Sequence, residues 1–143
     1  MAELLAVEGL TAGYGDSIVL EDVALAIDEG DSLALLGRNG MGKTTLLVTL
    51  MGLTQVRGGT LRWRGEDLAV LPTHRRSRAG IGWVPQERFM FPSLTVEEHL
   101  TAVARPGPWN VARVFEIFPR LSERRANFGN QLSGGEQQML AIG

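Results

Sequence analysis

Residues 37–44 read Gly-Arg-Asn-Gly-Met-Gly-Lys-Thr, which fits the phosphate-binding pattern G-x-x-x-x-G-K-[ST] at every fixed position. The chemistry of such a loop is local. Backbone N–H groups at a helix start have no intrahelical partner, and the helix dipole adds partial positive charge there. Gly37, Gly40 and Gly42 let that backbone wrap closely around an anion. The stretch Gly37, Arg38, Asn39, Gly40, Met41, Gly42, Lys43, Thr44, Thr45 is therefore the expected cradle for a triphosphate tail. Lys43 reaches the outer phosphates in this pattern, and the Thr44 hydroxyl ligates Mg²⁺. Lys43 is the only lysine of the chain; every other basic side chain is an arginine. A glycine-rich turn that fits by accident is the alternative, and the four fixed positions together with their context weigh against it.

A second small-residue turn lies at Leu132-Ser133-Gly134-Gly135-Glu136, followed by Gln137 and Gln138. It too opens a helix, with the Ser133 hydroxyl as an added donor for an anion. Taken alone, a Ser-Gly-Gly turn reads as a helix cap. Paired with an upstream phosphate loop, it reads as a second anion-binding helix start.

The elements that must position these turns are legible in the hydrophobic pattern. Leu4–Leu10 and Val19–Ile27 read as strands around the turn Gly13–Asp16. The apolar run Leu33–Leu36 reads as the strand feeding the phosphate loop. A helix is expected from Lys43, with Leu46, Leu47, Leu50 and Met51 on one face and Gly52 as its stop. Gly58-Gly59 opens a strand Thr60–Arg64, and 72–79 holds a short polar helix. Ile81–Val84 is a short strand stopped by Pro85. Thr95 and Glu98 have capping-box spacing, so a helix runs from Val96 to about Ala104. Val111–Phe118 is the next helix, ended by Pro119. Gly129–Gly135 is a loop, and the last helix begins near Glu136. Strands cluster early and helices late.

Composition narrows the function classes. The net charge is −2, so no global basic field exists to hold nucleic acid. The short arginine clusters at 74–78 and 120–125 read as solvated helix faces. No cysteine is present, which excludes disulfides, thiolate metal sites and cysteine nucleophiles. The N-terminus is too acidic and too briefly apolar for a secretory signal. Apolar runs such as Val23–Ile27 fall far short of the roughly 20 residues a membrane span needs. Membrane work would go through a partner. His74 and His99 read as surface or helix residues, and Trp63, Trp83 and Trp109 as core or partner-contact residues.

The phosphate loop followed by LSGGE resembles the ATP-binding subunits of ABC transporters, whose signature motif is LSGGQ or a close variant. The glutamate departs from the commonest form and adds negative charge in the first helical turn, a favourable place for it. The resemblance implies an α/β P-loop NTPase (ABC ATPase) fold with an N-terminal antiparallel β-subdomain and a helical signature subdomain. It implies a β-subdomain plus phosphate-loop core over 1–88 and a helical subdomain over 89–143. Tyr14 falls where the family places an aromatic that stacks on adenine, the alternative being an aromatic packed on its glycine turn. Gln86 looks like the family's Q-loop glutamine, close to Mg²⁺ or the attacking water, the alternative being a solvent-facing loop residue. The resemblance makes Lys43 and Gln86 the catalytic side chains present and Thr44 and Gln86 the metal-proximal ones. Leu132, Ser133, Gly134, Gly135 and Glu136 then face the γ-phosphate of ATP held by another subunit.

The implied cofactors are ATP and Mg²⁺. The implied partners are a second ATP-binding subunit, transmembrane permease subunits meeting the segment Phe89–Leu100, and indirectly a periplasmic substrate-binding protein; no nucleic acid is implied. The implied place is the cytoplasmic face of a bacterial inner membrane. The stretches 9–15, 35–47, 80–100 and 118–143 look most like the branched-chain amino-acid importer type, with urea and amide importers similar. The family pattern continues with a strand ending in Asp, a catalytic Glu and a switch His. Here the last aspartate is Asp67 and both histidines precede the signature. The expectation is a truncated product or part of a longer protein, with an incomplete core and no hydrolysis on its own. Rival readings are a nucleotide-binding module without turnover, a non-transport ABC ATPase, and a P-loop kinase or GTPase, which leaves LSGGE unexplained.

Overall fold

A computed structural model describes residues 2–87 and 90–143 of the chain. The chain divides into two compact units, Met1–Trp83 and Val84–Gly143. In the first, β1 (Glu3–Tyr14) lies between β2 (Ser17–Asp28) and β3 (Gln55–Trp63), with the two-residue β4 (Glu66–Asp67) beyond β3. All pairings are antiparallel. The central strand carries most of the sheet's buried apolar side chains, as a strand with two neighbours should. Leu5, Val7, Leu10 and Ala12 of β1 join Leu20, Leu61, Leu68 and Leu46 in one core. Leu46 belongs to α1 (Lys43–Leu50), so the helix that follows the phosphate loop is anchored on this sheet.

Helix α1 ends as expected at Gly52, whose φ of +82° suits a residue without Cβ. Gly52 N–H donates to Thr49 O and Leu53 N–H to Val48 O, the paired bonds of a Schellman close. Helix α2 (Thr73–Arg78) matches the expected polar helix. Trp63 Nε1 donates to Ala79 O at 3.0 Å, tying the end of β3 to the end of α2.

Several expectations need correction. Leu33–Leu36 and Ile81–Val84 are in no sheet. A strand exists through its ladder, and neither segment finds a backbone partner strand among the described residues; Leu36 is 91% exposed. Leu47 does not share the buried face of Leu46, being largely exposed. The third strand starts five residues before Thr60, taking Gly58 and Gly59 into its interior. Gly59 lies opposite a bulge in β1, where Gly9 and Leu10 together face this one residue between the pairs Glu8–Thr60 and Thr11–Gly58.

The second unit is helical: α3 (Val96–Ala102), α4 (Val111–Ile117), α5 (Pro119–Glu123) and α6 (Gly134–Ile142). Helix α3 has the full capping box, with Glu98 N–H on Thr95 Oγ1 and Thr95 N–H on Glu98 Oε2. Pro119 does more than end a helix: it is the first residue of α5, where its missing N–H costs nothing. Part of the expected loop 129–135 is a 3₁₀ turn (Gly129–Gln131), and α6 begins two residues earlier than Glu136. Val96, Leu100, Val114, Leu121, Leu132 and Leu140 form this unit's core. Leu132, the first signature residue, is thus a packing anchor.

Candidate nucleotide-binding site

The phosphate loop ends at Gly42, the N-cap of α1, in the left-handed conformation (φ 90°, ψ 2°). No side chain caps α1 and no acidic residue lies in its first turn. Its leading N–H groups are therefore free to meet an anion. A Cβ at Gly42 would stand 2.9 Å from Leu20 Cδ2, so the loop lies directly on β2. Lys43 folds back over the loop and donates to Gly37 O and, at 3.2 Å, to Arg38 O. Thr44 is exposed, while Thr45 is buried. Arg38, Asn39, Gly40 and Met41 line the exposed rim.

The far end of α1 is held by Arg76, which sequence reasoning placed on a solvated face. It is buried, at 4% exposure. Its guanidinium donates to Thr49 O and Leu50 O at 2.9 Å each and to Leu71 O at 2.8 Å. A cation on the last carbonyls of a helix satisfies orphan acceptors and meets the negative end of the dipole. Burial pulls the Arg76 pKa below the ordinary arginine value, and Asp67 opposes that shift. The sequence signal was present but ambiguous: among three arginines in α2, the burial of one depends on where the helix docks.

Tyr14 stands at the end of β1, half exposed, paired with Ser17 across the turn. Arg57 of β3 donates to Gly15 O at 2.5 Å and fixes that turn. Gln86 belongs to the second unit and is exposed. The segment Phe89–Leu100 begins outside the described residues. From Phe91 onward it is organised by His99, whose Nε2 accepts from Phe91 N–H at 2.9 Å while Nδ1 lies 2.8 Å from Thr95 O.

At the signature turn, Ser133 is the N-cap of α6. Ser133 Oγ accepts from Glu136 N–H at 3.2 Å, and Glu136 Oε1 accepts from Ser133 N–H at 2.9 Å. The N–H groups of Gly134 and Gly135 find no backbone partner among the described residues, and Ser133 and Gly135 are exposed. The Glu136 carboxylate, in contrast, is turned back and buried, with Oε2 3.4 Å from both Arg120 Nε and Arg124 Nε. Hydrogen bonds from Ser133, first that from its backbone, hold its pKa below the usual carboxylate value against the cost of burial, with help from Arg124 and Arg120. Two of the arginines read as solvated therefore serve this glutamate.

A glycine-rich loop opening an uncapped helix on an antiparallel sheet, with a helical unit carrying a second such turn, defines a P-loop domain of the ABC ATPase type. Residues 20–143 match the family model described as ABC transporter, and the chain belongs to that family. It is 41% identical over 98% of its length to the high-affinity branched-chain amino acid transport ATP-binding protein BraG of Pseudomonas aeruginosa, spanning 62% of that protein. It is 36% identical over 97% of its length to the lipopolysaccharide export system ATP-binding protein LptB of Haemophilus influenzae, spanning 61% of it. Its fold superposes with a TM-score of 0.80 on a solved ATP binding subunit of an ABC transporter at 33% identity, covering 97% of this chain and 60% of that one. Among the described residues no helix is long and apolar enough to cross a membrane.

Proposed function

We propose that this chain is the nucleotide-binding portion of an ATP-hydrolysing ABC transporter subunit, and that the whole protein drives import of branched-chain amino acids. One observation carries the nucleotide reading: α1 starts with free N–H groups beside Lys43, an arrangement that suits a triphosphate with Mg²⁺ near Thr44. Tyr14 supplies a half-exposed aromatic face for adenine, since stacking uses the π face and tolerates any base. Residues 1–88 then serve as the β-subdomain with the phosphate loop, and 89–143 as the helical subdomain. Ser133, Gly134 and Gly135 offer donors to the γ-phosphate of ATP held by a second subunit in a head-to-tail pair. Glu136 acts behind them. Gln86 approaches Mg²⁺ or the attacking water and couples the site to permease subunits at the cytoplasmic face of an inner membrane. A periplasmic binding protein delivers cargo to that permease.

The identity to BraG supports the cargo assignment. The identity to LptB favours a second reading, the same motor on a different permease. Two measurements on the full-length protein test these readings. Isothermal titration with Mg-ATP is expected to saturate, and no saturable binding overturns the nucleotide reading. Uptake of labelled leucine by cells lacking the gene is expected to fall. Unchanged uptake together with a permease of another cargo class in the purified complex selects the second reading.

A further inference from the structure

A carboxylate one turn inside an anion-binding helix start poses an electrostatic problem. Its charge stabilises the helix dipole but repels an incoming phosphate. In this chain the problem has a visible geometry. Glu136 lies in the first turn of α6 and is 7% exposed. Its Oε1 is spent on Ser133 N–H. Its Oε2 is buried and accepts no aligned hydrogen bond, yet it sits 3.4 Å from the Nε of two arginines carried by α5 and its C-cap. Arg120 is shared, because its Nη1 also pairs with Glu123 Oε2 at 2.9 Å. Arg124 makes no other ion pair among the described residues.

We propose that Arg120 and Arg124 are positioning residues of the signature turn: they draw the Glu136 carboxylate inward and neutralise it, so that Ser133, Gly134 and Gly135 present uncompensated donors to a phosphate. The assignment rests on the reading of that turn as a γ-phosphate contact and adds a charge relation between two helices to it. Because Arg120 divides its charge between two glutamates, Arg124 carries the larger share. An unpaired buried carboxylate beside the turn opposes anion binding; a neutral amide of the same shape does not.

The test is a mutant cycle in the full-length protein, reading the Mg-ATP concentration for half-maximal hydrolysis. R120Q/R124Q is expected to raise it about five-fold or more, with R124Q alone exceeding R120Q alone. The same two arginine changes made in an E136Q background are expected to cost less than two-fold. An equal cost in both backgrounds overturns the proposal, because the arginines then serve something other than the Glu136 charge. So does an unchanged R120Q/R124Q. A readout independent of turnover is the carbon-13 titration of the Glu136 carboxyl, expected to move up toward the ordinary range in R120Q/R124Q. An unmoved titration overturns the proposal even for a protein that hydrolyses no ATP. Absence of nucleotide binding by the unaltered protein counts against the proposed function instead, and the titration then decides the clamp alone.

Discussion

Lys43 donates its side-chain ammonium to the carbonyl oxygen of Gly37, the residue that opens the phosphate loop. The bond is solvent-exposed and holds the charge over the loop mouth. A triphosphate offers the same ammonium charge-assisted acceptors of about 1.5–3 kcal/mol. Lys43→Ala is therefore expected to lower Mg-ATP affinity about ten- to a hundred-fold, read by calorimetric titration. Its effect on the denaturant midpoint is expected to be small, since the bonds it loses are exposed to water. A large stability loss with intact affinity contradicts this account.

Arg76 supports the same helix from its other end. Removing it leaves Thr49 O, Leu50 O and Leu71 O without their donor in a buried place. Stranding buried acceptors costs about 1–3 kcal/mol per group, with partial relief where water enters. Arg76→Ala is expected to destabilise by about 3 kcal/mol in urea unfolding. Arg76→Lys is expected to recover little, because a single ammonium cannot span three carbonyls served by a planar fork.

Motifs whose chemistry is local were legible in the sequence. The capping box Thr95–Glu98, the stop at Gly52 and the glycine-rich start of α1 depend on neighbours within a few residues. What depends on distant partners was not. Leu33–Leu36 has the composition of a buried strand, but composition cannot supply a pairing strand. Arg76 and Arg124 read as surface charges because their partners, Thr49 and Glu136, lie on other elements. At the signature the sequence located the turn, while the inward direction of Glu136 emerged only from the capping geometry.

The depressed Glu136 pKa gives a pH dependence with a definite sign. A carboxylate lowered from its unfolded value of about 4.3 contributes stability above that value, and the contribution fades as pH falls through the folded value. Glu136→Gln keeps the shape but does not titrate. The melting-temperature advantage of the unaltered protein over E136Q is expected to be constant from about pH 7 to 5 and to shrink toward pH 3. Taking the difference removes the titration of Glu123 on the same arginine. An advantage that grows on acidification contradicts the assignment.

Thr95 caps α3 and receives the His99 ring one turn later. Phe91 N–H donates to His99 Nε2, so Nε2 must be unprotonated and Nδ1–H must face Thr95 O. Nitrogen-15 shifts are expected to report the Nδ1–H tautomer. Thr95→Ala is expected to cost about 1 kcal/mol and Thr95→Ser much less.

Gly59 and Gly65 share a φ of +82° and differ in what surrounds them. A Cβ at Gly65 meets nothing within 4 Å, whereas at Gly59 it falls 2.3 Å from Gly9 O and 2.5 Å from Glu8 O. Backbone strain alone costs about 1–2 kcal/mol for an L residue in that region. Gly65→Ala is expected to lose about that much. Gly59→Ala adds a collision with the backbone of β1 at its bulge, which neither strand can relieve without breaking ladder bonds. Its loss is expected to exceed about 4 kcal/mol, a size that marks disrupted backbone rather than lost side-chain contacts. Parallel chemical-denaturation curves for the two variants decide the matter: equal midpoints contradict the close approach of β3 to β1.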